Sequence, residues 1–144
     1  MTEAENRYWF RSTLFDLEPG EDSETNPGLY GRQLANWLRD RFRSLGYSVE
    51  DVIPEDFGWC VMCQRDPYML WVGCVSVPDD EDYGSDDCPP SKENVLWQVM
   101  AVAEVPFFKR LFGGIDANAG LAKLDSDLRR TLEREAGIVM VDEA

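Results

Sequence analysis

The sequence predicts an α+β fold: a mainly antiparallel central sheet in the order β-α-β-β-β-β-α-β, with two amphipathic helices packed on it. Three observations carry this expectation. Phe57–Val77 reads FGWCVMCQRDPYMLWVGCVSV, two short apolar runs joined by the polar break Gln64-Arg65-Asp66-Pro67, which is the pattern of an antiparallel hairpin. Tyr30, Leu34, Trp37, Leu38, Phe42 and Leu45 recur mostly at spacings of three and four, as do Leu121, Leu124, Leu128 and Leu132, so each set lines one helix face. At 144 residues, 44% hydrophobic and 29% charged, the chain has the material of one globular domain (1–144) that needs no metal or disulfide staple.

In chain order, residues 1–6 are expected to form a flexible tail. A strand is expected over Arg7–Phe15, with Tyr8, Phe10 and Leu14 on one face and Trp9, Arg11, Thr13 and Phe15 on the other. Residues 16–26 form a first acidic loop carrying Asp16, Glu18, Glu21, Asp22 and Glu24, with Pro19-Gly20 as its turn. Asn26-Pro27 reads as a helix start, because Asn caps free amides and Pro fits the first turn. The helix is expected from Pro27 to Leu45, with Arg32, Arg39, Asp40, Arg41 and Arg43 on its wet side and Gly46 as its stop. A weaker strand is expected over Tyr47–Ile53, broken by Pro54-Glu55-Asp56.

In the hairpin, Trp59, Val61 and Cys63 alternate against Gly58, Cys60 and Met62. In its second arm Met69, Trp71, Gly73 and Val75 alternate against Leu70, Val72 and Cys74. Both faces are apolar, as in the middle of a covered sheet. Residues 78–94 form a second acidic loop with Asp79, Asp80, Glu81, Asp82, Asp86 and Asp87. Val95–Val105 returns as a strand. Phe107, Phe108 and Phe112, beside Lys109 and Arg110, either plug the open end of the core or form an interface patch. A second helix is expected over Asn118–Ala136, capped by Asp116 or Asn118 and stopped by Gly137, and Ile138–Val141 ends the sheet.

Charge limits the chemistry. Twenty-eight acids face fourteen bases, giving −14 with no histidine. Such a surface repels phosphates, so direct binding to nucleic acid or to an anionic membrane is not expected; a basic protein partner is. No apolar run approaches the roughly 18 residues of a membrane span, and the acidic start MTEAENRYWF has no signal-peptide pattern. A cytoplasmic, reducing setting is therefore expected for Cys60, Cys63, Cys74 and Cys88. Cys60 and Cys63 make a CxxC, but strand residues three apart point to opposite faces, so buried free thiols are expected rather than a zinc site. The Asp79–Gly84 cluster misses the calcium-loop register: the position requiring Glu falls on Pro90 or Ser91. Without histidine or a phosphate-binding loop, no residue set fills the roles an enzyme needs, and no catalytic residue, metal ligand or cofactor is expected. The carboxylate pairs Glu55/Asp56 and Asp125/Asp127 are the nearest approach to one.

The pattern EPGEDSETNPGLYGRQLANWLRDRFRSLGYSVEDVIPEDFGWCV, followed by LWVGC, resembles a widespread group of small uncharacterised bacterial proteins. The resemblance spans roughly residues 7–112 and is most specific at Glu18–Gly31 and Glu55–Val61. It implies bacterial origin and a single domain, and carries no biochemical role. In size, acidity and helix-on-sheet layout the chain is also similar to immunity proteins that neutralise bacterial toxins and to phage-encoded inhibitors of host defence. The expected function is therefore non-enzymatic binding: an immunity or inhibitor protein docking a basic surface through its two acidic loops. The alternatives are a nucleic-acid mimic made of the same loops, and a metal-binding protein using the cysteines or carboxylates.

Overall fold

The computed structural model describes residues 2–77, 91–111 and 113–142. The fold is α+β. Strands β1 (Thr2–Ser12), β2 (Ile53–Glu55), β3 (Gly58–Gln64), β4 (Met69–Val77), β5 (Leu96–Glu104) and β6 (Ile138–Val141) form one sheet, with helices α1 (Arg32–Ser44), α2 (Phe107–Leu111) and α3 (Asn118–Arg134) between them. The sheet order is β2-β3-β4-β5-β1-β6, and every neighbouring pair is antiparallel. The expected architecture stands, and several boundaries move.

The hairpin sits where the sequence placed it. Met62 pairs with Trp71 and Cys60 with Gly73, so these residues share one sheet face. Trp59, Val61, Cys63, Leu70, Val72 and Cys74 take the other face and join the main core. That core lies under the two long helices. Leu34, Leu38 and Phe42 of α1 and Leu124, Leu128 and Leu132 of α3 are fully buried against it. Each such side chain contributes about 2–3 kcal/mol on burial, enough to fix which way each helix faces. The arginines of α1 are thereby turned outward. No helix among the described residues is long and apolar enough to cross a membrane.

Four expectations are corrected. The chain from Thr2 is strand rather than tail, with Thr2 paired to Glu104 across β5. That strand ends at Ser12, whose hydroxyl accepts the Leu14 amide at 3.1 Å and turns the chain. As a result Phe15 swings into the core at 3% exposure while Leu14 is 48% exposed, inverting the alternation expected for an unbroken strand. Helix α1 starts at Arg32, not Pro27. Asn26 does not cap it; its side-chain amide donates to the Asp56 carbonyl at 2.6 Å. The weak strand moves from 47–53 to Ile53–Glu55, and Pro54 lies inside it. This is permitted because β2 is an edge strand, where a missing N–H can face outward.

Candidate functional site

The first acidic loop is built around one buried carboxylate. Its Pro19-Gly20 turn leads into a single 3-10 turn, Glu21–Ser23. From there Glu21 points inward and is 3% exposed. Its Oε1 accepts the backbone N–H groups of Gly31 and Arg32 at 2.8 and 2.9 Å and the indole N–H of Trp59 at 3.0 Å. Its Oε2 accepts the Glu18 amide at 2.8 Å. A helix N-terminus exposes unpaired amides and a positive dipole end, and Glu21 meets both from eleven residues upstream of Arg32. Glu21 was expected to meet a partner. That reading is corrected: its four donors hold it inside the fold.

The other acids of this loop stay on the surface with internal bonds. Asp22 accepts the Gly28 amide at 2.8 Å. Glu18 lies 3.7 Å from Arg32 and accepts from the Gln33 side chain at 3.2 Å. Asp16 accepts Lys92 Nζ at 3.1 Å. Glu24 is exposed and lines a cleft on the outer side of α1. Asp79, Asp80, Glu81, Asp82, Asp86 and Asp87 lie outside the described residues, as does Cys88.

The residues flanking the second acidic stretch are described; one flank bonds to the first loop and the other to Tyr30, just beyond it. On one side, the Ser76 amide donates to the Tyr30 carbonyl at 2.8 Å and the Tyr30 amide to the Ser76 hydroxyl at 3.0 Å. On the other, Lys92 holds Asp16. Val77 pairs with Leu96, so this is one end of the sheet. The far end, where Met69 pairs with Glu104, carries α2. There Phe107 is 76% exposed and Lys109 donates to the Pro67 carbonyl. Phe107 thus does not plug the core, and it lies about 25–30 Å from the acidic end, the length of a nine-residue strand.

Charge is segregated as well. Helices α1 and α3 carry eight of the fourteen basic residues and only four of the twenty-eight acids. The rest of the molecule is correspondingly more acidic than the net charge implies. The cleft beside α1 has a volume of about 360 Å³ and is lined by Glu24, Arg32, Asn36, Arg39, Asp51 and Trp59, with Val52 and Pro54. Positions 32, 36 and 39 form one stripe along the helix, turned away from the buried Leu34-Leu38-Phe42 stripe by about a third of a turn. Sequence reading placed Arg32 and Arg39 on the wet side, and the facing wall from residues 51–54 is what makes a cleft of it.

The described cysteines are buried thiols. Burial pushes Cys60 and Cys63 up to about 12 and Cys74 well above the ordinary thiol value, so all three stay protonated near neutral pH. Among the described residues no group of three or more Cys, Asp or Glu side chains could hold a metal ion. Asp125 and Asp127 do not face each other: Asp125 accepts the Tyr8 hydroxyl, and Asp127 accepts the Tyr47 hydroxyl at 2.6 Å. Both bonds pin α3 to the rest of the fold. Burial, then the bond to Asp127, raises Tyr47 from 10.0 to about 12. The neutral phenol is the stabilised form, so its contribution is complete below pH 10 and is lost as pH rises toward 12. Tyr47→Phe is expected to flatten the fall in urea midpoint across that range; a slope equal to the wild type's would refute the assignment.

A comparison with protein-family models, curated proteins and solved structures returned no match.

Proposed function

We propose that this chain is a non-enzymatic acidic binding protein that docks a basic partner surface at one end of its sheet, most concretely as an immunity protein. The supporting observation is that one flank of the second acidic stretch bonds to the first acidic loop, Lys92 to Asp16, and the other to the segment just after that loop, Ser76 to Tyr30. Asp16, Glu18, Asp22 and Glu24 supply the described carboxylates of this surface, and Asp79, Asp80, Glu81, Asp82, Asp86 and Asp87 enter the proposal from the sequence alone. Concentrated carboxylates steer a basic partner and pair with its Lys and Arg, which raises the association rate. Charge segregation adds orientation, since the basic helix layer is repelled by the same partner. The partner's own apolar anchors would have to sit near the acidic end, because Phe107 lies at the other.

A second reading is a nucleic-acid mimic that occupies a phosphate-binding groove; it requires the two acidic loops to share one face, and the bonds of Lys92 to Asp16 and Ser76 to Tyr30 favour it. The test is capture of a partner from bacterial lysate, followed by binding kinetics on the purified pair. Neutralising Asp79, Asp80, Glu81, Asp82, Asp86 and Asp87 to Asn or Gln is expected to slow association at low salt by at least ~10-fold. High salt should do the same to the wild type. Displacement by DNA or RNA would select mimicry, whereas inhibition of a toxin's activity would select immunity. Binding that ignores both the neutralised loop and the salt would end the proposal.

A further inference from the structure

We infer that the cleft between α1 and residues 51–54 is a binding site for a small zwitterion of the α-amino-acid class. Two arginines and two carboxylates line this open cleft together, so it holds both signs of charge. Its volume of about 360 Å³ lies in the range of small-molecule sites and exceeds what one amino acid fills. Arg32, Asn36 and Arg39 point along one stripe of α1, spaced over about 10 Å by the helix rise. A ligand carboxylate placed between the two guanidinium groups can take paired N–H donors, a geometry that suits arginine better than lysine. The Asn36 amide lies between them to add a donor.

The arginines are held in place and yet under-used. The Arg32 guanidinium lies 5.6 Å from the centre of the Trp59 ring, and its nearest carboxylate, Glu18, is 3.7 Å away. Arg39 donates through Nε to Asp40 at 3.1 Å, while its Nη1 stands 3.8 Å from Asp51. Contacts of 3.7–3.8 Å are beyond a hydrogen bond. Exposed pairs of this kind contribute little to stability, so a ligand carboxylate can replace them at small cost. Glu24 and Asp51, the latter 93% exposed at its side chain, then supply acceptors for the ligand ammonium. A ligand bearing only one charge would leave one pair of side chains unanswered. The site borders the docking end proposed above, sharing Glu24 with it, but does not depend on that proposal.

The test is NMR titration of the intact chain with the common amino acids to about 10 mM, which registers any Kd tighter than ~1 mM. Acetate and ethylamine serve as single-charge controls. The reporter is the Trp59 indole N–H, assigned by loss of its signal in Trp59→Phe. At least one amino acid is expected to give a saturable shift, with a Kd about 10-fold below that of either control. Asp51→Asn, a surface change, and Arg39→Ala, at a half-buried side chain, are each expected to weaken it by ~10-fold. No saturable shift with any amino acid would overturn the inference, as would acetate binding equally well, or binding unchanged in both variants.

Discussion

Glu21→Ala is expected to destabilise the protein by about 4 kcal/mol, the scale of removing a buried charged acceptor from its partners. At roughly 3 °C per kcal/mol for a chain of this size, Tm falls by about 12 °C. The reasoning rests on what is left behind. The substitution strips the acceptor from the Gly31 and Arg32 amides, the Trp59 indole and the Glu18 amide at once. Trp59 is 2% exposed and Gly31 is buried, so water cannot readily replace the carboxylate there. The helix also loses the negative charge at its N-terminus. Glu21→Gln keeps the shape but turns an amide N–H₂ toward N–H donors, and an intermediate loss is expected. Glu24→Ala, in the same loop but exposed, is expected to stay within about 0.5 kcal/mol of wild type. Urea denaturation of the three variants measures this directly. A Glu21→Ala protein within ~1 kcal/mol of wild type would mean that the carboxylate is not the helix cap.

That residue marks where sequence reading stopped. The helix stripes and the central hairpin were legible because their signals are local periodicities that burial enforces, and Leu34, Leu38, Leu124 and Leu128 lie where the period put them. The start of α1 was not legible in the same way. Asn26-Pro27 carries a local cap signal, but the acceptor that begins the helix arrives from Glu21 and is shared with Trp59, 38 residues further on. A carboxylate in an acidic loop gives no sign of being the one that turns inward. The strand shift at Ile53–Glu55 had a similar cause, since Pro54 reads as a breaker until its strand is known to be an edge. The cleft followed from that shift: the arginine stripe was visible, and its opposing wall was not. The acids of the proposed docking end were legible as charge, whereas the bonds of the flanking Ser76 and Lys92 to Tyr30 and Asp16 had no sequence signal.

Gly58→Ala is expected to cost about 3–4 kcal/mol, because it combines backbone strain with a clash against atoms that cannot move. Gly58 opens β3 with φ 148°, a conformation that side-chain-bearing residues rarely adopt. A β-carbon there would lie 2.5 Å from the Cys74 carbonyl oxygen and 2.9 Å from Val75 Cβ. Cys74 is fully buried in β4 and paired to Trp59, so its carbonyl cannot retreat without disturbing the sheet. The same carbonyl is approached from the first loop by Gly31, at φ 155°, where a β-carbon would come within 2.9 Å. Two glycines thus let β3 and the loop close on one backbone atom, and that closure sets Trp59 and the α1 N-terminus around Glu21. Gly20→Ala is the matched control. Gly20 also has a positive φ, 90°, but nothing lies within 4 Å of the added carbon, so only the conformational cost of about 1 kcal/mol is expected. Thermal or urea unfolding of the two variants separates strain from steric exclusion. If Gly58→Ala lost no more stability than Gly20→Ala, the close approach to Cys74 would carry none of the fold's specificity, and Trp59 would have to be positioned by the Glu21 bond alone.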